Sequence, residues 1–163
     1  MDALGFQCHF HALGDRAVRD ALDAIEAARA ANGRSDTRAH LAHLQVVHPA
    51  DMPRFARLGA TATIQPLRAA HEPQMDEPTI PFLGSERAAW HYPFGALPRS
   101  GATLAAGSDG PASSPGPPEA IHVAVNPRGP GADGAPVRRR TWWCWTATRS
   151  PFRPRGSRGR AWR

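Results

Sequence analysis

Apolar residues near the start of the chain follow first a strand pattern and then a helix pattern. The stretch Leu4–His11 is predicted to form a strand that ends in a polar residue. Asp15 is then expected to cap a helix, and Gly33 is expected to close it. Apolar positions within that helix recur at spacings of four and three, at Val18, Leu22 and Ile25. The pattern therefore predicts one strand followed by one amphipathic helix.

The same layout recurs three more times before about residue 126. Further strands are predicted at Thr37–His43, Ala60–Gln65 and Ala102–Gly107. Between the second and third strands, Pro49 fits a first helical turn and Gly59 fits a helix stop. Strands that alternate with helices indicate a parallel sheet, so the pattern predicts an α/β fold with four strands.

Length and charge distribution refine this interpretation. The chain has 163 residues, whereas a complete (β/α)₈ TIM barrel needs about 250. We therefore expect only a partial barrel. Residues 1–126 hold 10 Arg against 13 acidic residues, a formal charge of −3. Residues 127–163 hold 10 Arg against one acidic residue, a formal charge of +9. We therefore divide the chain into a barrel-like part, 1–126, and a basic tail, 127–163.

The tail is a different kind of sequence from the part before it. It contains four of the five Trp, without the 2.0 or 3.6 periodicity that would give them a buried face. We favour an out-of-frame translation of a GC-rich gene over a genuine disordered tail. Specific nucleic-acid binding through the Arg and Trp residues is the less favoured alternative.

Cysteine content and hydropathy indicate the cellular compartment of the protein. Cys8 and Cys144 match neither a disulfide framework nor a zinc ribbon. No stretch is apolar enough to span a bilayer, and the chain does not start with a basic segment followed by an apolar run. We therefore expect a cytoplasmic protein without membrane contact.

Polar residues stand at the carboxyl ends of the predicted strands, where parallel barrels carry their chemistry. They are His11, His43, Gln65 and Asp109. Neutral imidazole and carboxylate both donate lone pairs to Zn²⁺ or a similar ion. A strand-end histidine is often only hydrogen-bonded, however, and the chain has eight His. The pattern by itself indicates a metal site and leaves a structural use of these imidazoles open.

Four sequence blocks resemble, in the right order, motifs of the amidohydrolase superfamily. The similarity is to the branch of N-substituted formamide deformylases and related N-acyl hydrolases, and it runs from about Leu4 to Asn126. The blocks resemble the motifs of the fifth, sixth, seventh and eighth barrel strands, and they lie at Phe6–Val18, Arg38–Gln45, Ala62–Pro66 and Gly101–Asp109.

The resemblance implies a metal-dependent hydrolase of non-peptide carbon–nitrogen bonds, of which this chain carries barrel strands five to eight. It implies that His11, His43 and Asp109 bind a divalent metal, taken to be Zn²⁺, and that Asp109 also shuttles the proton of amide hydrolysis. The family's first-strand His-x-His pair and fourth-strand Lys have no counterpart, and the sequence contains no Lys. We therefore expect a half-built site that is inactive alone, unless the chain self-associates or meets a missing N-terminal half.

Other residues near these motifs leave alternatives open. Gln65 and His71 are expected to face a small amide or formamide substrate, although a solvated loop explains His71 equally well. His9 forms a His-x-His with His11, yet the order of the blocks makes His9 a barrel-layer residue below the site. His40 precedes His43 by three positions, which predicts opposite faces of the strand and a structural role for His40.

Overall fold

A four-stranded parallel sheet is the centre of the molecule. The computed structural model describes residues 1–33, 36–70 and 77–125. Neighbouring strands are all parallel and follow one another in sequence order. They are β1 (His9–Ala12), β2 (His40–His43), β3 (Thr61–Ile64) and β4 (Thr103–Ala106). The predicted α/β class and the four parallel strands are confirmed, and sequential parallel strands are the arrangement found in TIM barrels.

Helices connect the strands and flank the sheet. Among the described residues, the α-helices are α1 (Asp15–Asn32), α2 (Met52–Leu58), α3 (Ile80–Ala88), α4 (Ala96–Arg99) and α5 (Pro117–Val125). Short 3₁₀ helices lie at Asp2–Leu4, Pro49–Asp51 and Pro66–Ala69. Across the described ranges, no helix combines the length and apolarity that crossing a bilayer requires.

The first two strands are shorter than predicted, because the backbone before each of them is not extended. Leu4 ends a 3₁₀ helix, and Gly5 follows in a left-handed conformation with φ of 76°. Regular pairing therefore starts only at His9. Before β2, Arg38 has a φ of 47°, which breaks the extended backbone expected from Thr37 onward.

The start of α1 corrects the predicted role of Asp15. Gly14 is the N-cap residue, and no side chain caps the helix. The Asp15 carboxylate instead accepts hydrogen bonds from Arg87 of α3, at 2.5 Å from Nη2 and 3.2 Å from Nε. The cap prediction is wrong because a residue distant in sequence binds this carboxylate. The helix stops at Gly33 and Gly59 are confirmed.

One face of the sheet packs against the helices and forms the main core. The predicted apolar positions of α1, Val18, Leu22 and Ile25, are buried together with Leu41 and Ala62 of the sheet. Each fully buried Val, Leu or Ile side chain among them contributes about 1.5–3 kcal/mol relative to leaving it exposed. This packing holds β1, β2 and β3 in fixed register, so it also fixes the positions of their carboxyl ends.

The other face of the sheet carries histidines. Phe10 packs against the helix-side core, so its neighbours His9 and His11 point to the opposite face. The parallel register places His9 beside His40, and His9 and His11 are both exposed. The residues at 127–163 and His71 lie outside the described part of the chain, so the predictions made for them stay predictions.

Candidate metal centre

His11 and His43 meet at the carboxyl ends of β1 and β2. The His11 Nδ1 atom lies 2.8 Å from the His43 Nε2 atom. The two ring centroids are 5.0 Å apart, with 33° between the ring planes. One nitrogen donates a proton to the other in this arrangement, so at least one ring presents a lone pair at the contact. The sequence-based prediction placed these two imidazoles at neighbouring strand ends, and the structure brings them together.

His43 reaches this position through an unusual backbone conformation. Its φ is 74°, and Leu44 follows with a φ of 50°. Left-handed backbone in residues other than glycine is uncommon and costs about 1–3 kcal/mol, and it is enriched at functional sites. The conformation turns the His43 side chain at the point where β2 ends. It therefore departs from the side-chain alternation of a regular strand.

The prediction that His40 and His43 lie on opposite faces is consequently wrong. The His40 ring is 5.7 Å from the His9 ring, and the His9 ring is 5.8 Å from the His11 ring, measured between centroids. His11 in turn contacts His43. The four imidazoles thus form a continuous row along one face of the sheet. The spacing of three residues did not reveal this, since the alternation rule assumes an extended backbone throughout.

Gln65, the residue directly after β3, supports the imidazole pair. Its side chain is buried, with 5% of its surface exposed. Its Oε1 atom accepts a hydrogen bond from the His43 backbone N–H at 2.9 Å. This contact occupies the donor at the residue whose backbone is left-handed, so it stabilises the conformation that presents the His43 ring. No local pattern in the sequence indicated this supporting contact, and the predicted substrate contact of Gln65 stays a prediction.

Asp109 lies near the pair but does not complete a set of three ligands with it. It follows β4 by three residues and is half-buried, with a φ of 59°. Its carboxylate acts electrostatically on His43. Within residues 1–33, 36–70 and 77–125, however, no three His, Cys, Asp or Glu side chains are grouped so as to hold one metal ion. The structure therefore brings His11 and His43 together and leaves Asp109 beside them.

The electrostatic surroundings of His43 favour its neutral form. Burial lowers the pKa of the His43 imidazole below its ordinary value, and the Asp109 carboxylate opposes this change. The His11 ring and the Arg68 guanidinium lower that pKa further. A neutral imidazole is the form that can bind a metal ion, and this environment favours that form at His43.

Two residues without a predicted role also lie in this neighbourhood, Arg68 and Tyr92. Arg68 stands in the 3₁₀ turn directly after β3, and its side chain is exposed. Tyr92 is buried, and burial raises the pKa of its hydroxyl to about 12 while the Arg68 charge opposes that rise. The only sequence signal for Arg68 was its position three residues beyond Gln65, the predicted end of the third strand. Nothing in the local sequence pointed to Tyr92.

Comparison with known proteins identifies the family. The model of the Amidohydrolase family matches residues 1–142 of this chain. The chain belongs to the amidohydrolase family. This confirms the superfamily resemblance seen in the sequence blocks, whereas the formamide deformylase branch stays a prediction. The match also extends past residue 126, the predicted boundary of the barrel-like part.

Individual relatives agree with this assignment. The protein LONG AFTER FAR-RED 3 of Arabidopsis thaliana is 38% identical over 125 residues, which cover 76% of this chain and 21% of that protein. A crystal structure of an uncharacterized metal-dependent hydrolase from Pyrococcus furiosus superposes with a TM-score of 0.59 and 27% identity, covering 77% of this chain and 24% of that one. Its counterpart from Pyrococcus horikoshii OT3 gives 0.63 and 26%, covering 77% and 23%. This chain spans about a fifth to a quarter of the length of these relatives.

Proposed function

We propose that this chain supplies strands five to eight of an amidohydrolase barrel and, with them, half of a metal-dependent site that hydrolyses non-peptide carbon–nitrogen bonds. The observation that carries the proposal is the 2.8 Å approach of His11 Nδ1 to His43 Nε2 at two neighbouring strand ends. Membership of the amidohydrolase family and the two metal-dependent hydrolases of similar fold support it.

The imidazole pair fits a divalent metal ion. Two nitrogens that bind one tetrahedral Zn²⁺ lie about 3.3 Å apart, since each is about 2.0–2.1 Å from the ion. The observed separation of 2.8 Å is close to that value. His11 and His43 would hold the ion, with Asp109 as the proposed third ligand. The ion, proposed to be Zn²⁺, would supply Lewis acidity that polarises an amide carbonyl and acidifies water.

The chain's own residues then have distinct tasks. Asp109 takes a proton from the attacking water and returns it to the departing nitrogen, as amide hydrolysis requires. Gln65 holds the His43 backbone through its 2.9 Å hydrogen bond, so the ring stays in place during this exchange. The proposed substrates are small N-formyl or N-acyl amines, and Gln65 and His71 are the proposed substrate contacts. The cytoplasmic location also stays a prediction.

We further propose that turnover requires strands that this chain does not provide. A barrel site needs ligands from several strands, and the sequence has no Lys to act as the fourth-strand ligand. The face that carries the histidine row includes the exposed residues His9 and His11, as expected where further strands would close a barrel. The proposed partner is the complementary half of a barrel or, at lower efficiency, a second copy of this chain.

Metal binding tests the proposal without depending on turnover. Isothermal titration of the full chain with Zn²⁺ is expected to show one site, which His11→Ala and His43→Ala each weaken at least tenfold. The control is His122→Ala, an exposed position on α5, which should leave the affinity unchanged. Zinc affinity that survives both substitutions would contradict the assignment of the pair as ligands.

Activity measurements test the second part. The purified chain with Zn²⁺ is expected to show little hydrolysis of a panel of N-formyl and N-acyl amines, because the ligand set is incomplete. Robust turnover that His43→Ala abolishes would refute the incomplete-site argument while supporting the metal role of His43. Sizing chromatography on any active fraction would then show whether self-association supplies the missing groups.

A further inference from the structure

The first edge of the sheet is β1, which has one neighbouring strand, β2, among the described residues. The Cys8 and Ala12 carbonyls accept hydrogen bonds from the β2 side, at 2.9 Å and 3.1 Å. Backbone groups alternate between the two sides of a strand, so the N–H and C=O groups of His9 and His11 point away from β2. An open row of this kind is a template for pairing with another strand.

The other edge is β4, and it carries Asp109 beyond its carboxyl end. The Gly107 N–H donates to the Ile64 carbonyl of β3 at 3.0 Å, so the N–H of the preceding residue, Ala106, points away from β3. Asp109 lies in a turn closed by the Ala112 N–H, which donates to the Asp109 carbonyl at 2.8 Å. The turn therefore holds Asp109 at the end of the open β4 edge.

The two edge strands are also the more exposed strands of the sheet. Two of the four residues of β2 and three of the four residues of β3 are buried, against one in β1 and none in β4. The apolar residues that flank β1, Phe6 and Leu13, are 54% and 50% exposed. Apolar side chains next to unpaired backbone groups mark a surface that a protein partner would cover.

A second copy of this chain fits both edges at once. Strands β1 and β4 have four residues each, and all neighbouring strands run parallel. A two-fold axis along the strand direction would place β1 of each copy beside β4 of the other and keep every strand parallel. The product has eight parallel strands in a closed ring, which is the strand number of a TIM barrel. Closure of this kind removes both edges.

We propose that two copies of this chain close one barrel and share each metal centre, with His11 and His43 from one copy and Asp109 from the other. This inference rests on the proposed metal site and assigns its third ligand to the second copy. Within one chain, β2 and β3 separate the β4 end from His11, and no three potential ligands are grouped among the described residues. In the closed dimer, β4 of the second copy lies directly beside β1, so its Asp109 approaches His11.

Sedimentation velocity tests closure without metal. The wild-type chain in the presence of EDTA is expected to be a dimer at high micromolar concentration. Ala106→Pro removes the outward N–H of the β4 edge, and the variant is expected to be a monomer because proline cannot donate there. Ala106→Ser, at the same exposed position, keeps the N–H and should stay a dimer. Circular dichroism checks that each variant retains its fold.

Mixed dimers then test which copy supplies the carboxylate. Two chains with different affinity tags, neither containing histidine, are co-expressed and purified through both tags, and Zn²⁺ binding is measured by titration. In the split arrangement, one chain carries His43→Ala and the other carries Asp109→Asn; asparagine tolerates the left-handed backbone at this position. In the matched control, both substitutions are in one chain and the other chain is wild-type.

A shared centre and a centre within one chain give opposite results. If Asp109 acts on the other copy, the split dimer is expected to keep one tight zinc site and the control dimer to lose both. If Asp109 acts within its own chain, the control dimer keeps one tight site and the split dimer has none, which would overturn the proposal. Equal zinc binding by the two arrangements would also overturn it, because Asp109 would then not be a ligand.

The same experiments separate this inference from the proposed function. A wild-type monomer, or an Ala106→Pro variant that dimerises as the wild-type chain does, would overturn closure by a second copy and leave zinc binding at His11 and His43 unaffected. A wild-type dimer that binds no Zn²⁺ would refute the proposed metal site, and the shared centre with it, while the sedimentation result would still support the closed barrel.

Discussion

The hydrogen bond between His43 and Gln65 predicts how the candidate site depends on a buried acceptor. Gln65→Leu keeps a side chain of similar size but removes the oxygen that binds the His43 N–H at 2.9 Å. An unsatisfied buried donor costs about 1–3 kcal/mol, so the free energy of unfolding should fall by that amount. Relief of the left-handed backbone at His43 should also displace the ring, and we expect Zn²⁺ affinity to fall about tenfold, equivalent to about 1.4 kcal/mol.

Urea unfolding followed by circular dichroism measures the first effect, and zinc titration measures the second. The matched control is Thr63→Val on β3, two residues before Gln65. The Thr63 Oγ1 atom is buried and has no hydrogen-bond partner among the described residues. Its removal should therefore be neutral or slightly stabilising. Gln65→Glu retains an acceptor and should preserve more zinc affinity than Gln65→Leu does.

A clear result would refute this reasoning. If Gln65→Leu unfolds at the wild-type urea concentration and binds Zn²⁺ with wild-type affinity, the hydrogen bond does not hold His43 in place. If Thr63→Val loses as much stability as Gln65→Leu, the effect belongs to the packing of β3 and has no specific connection to the acceptor.

Three further predictions concern stability. Phe55→Ala, at a side chain with 0% exposure, should cost about 3–5 kcal/mol in urea unfolding, whereas Phe82→Ala, at 83% exposure, should cost almost nothing; equal losses would contradict the assigned core. Burial of Asp15 opposes ionisation, but the Arg87 hydrogen bond and charge outweigh it and lower the pKa of that carboxyl. The stability that the Asp15–Arg87 pair contributes is therefore complete above pH about 4, and it is lost as the pH falls through the folded-state pKa of Asp15. Arg87→Gln should cost about 0.5–1 kcal/mol at pH 7 and almost nothing once the pH lies below the folded-state pKa of Asp15, and a pH-independent difference would exclude this pair as the cause. Gly101→Ala should destabilise by about 1–2 kcal/mol, since its φ is +87° and the new Cβ would lie 3.2 Å from a side-chain carbon; an unchanged midpoint would show that the turn relaxes.

The sequence by itself determined the α/β layout and the approach of two site residues. Alternating strand and helix periods predicted four parallel strands, because the apolar spacing of each element records which face it buries. Parallel strands have their carboxyl ends at one edge, so histidines at the ends of β1 and β2 had to be neighbours. Even the predicted helix stops at Gly33 and Gly59 rested on local backbone preference alone, and both are confirmed.

Only the tertiary structure decided how the site is held together. The left-handed backbone of His43 places its ring in the same row as those of His40 and His9, contrary to the alternation rule. The hydrogen bond from the His43 N–H to the Gln65 side chain connects two residues that are 22 positions apart in sequence. Asp15 is likewise bound by Arg87, 72 positions away, where local sequence predicted a helix cap. Local patterns record which side of an element is apolar, but they contain no information on which distant polar group meets a given donor. That choice depends on how the elements pack, and here the packing sets the geometry of the imidazole pair.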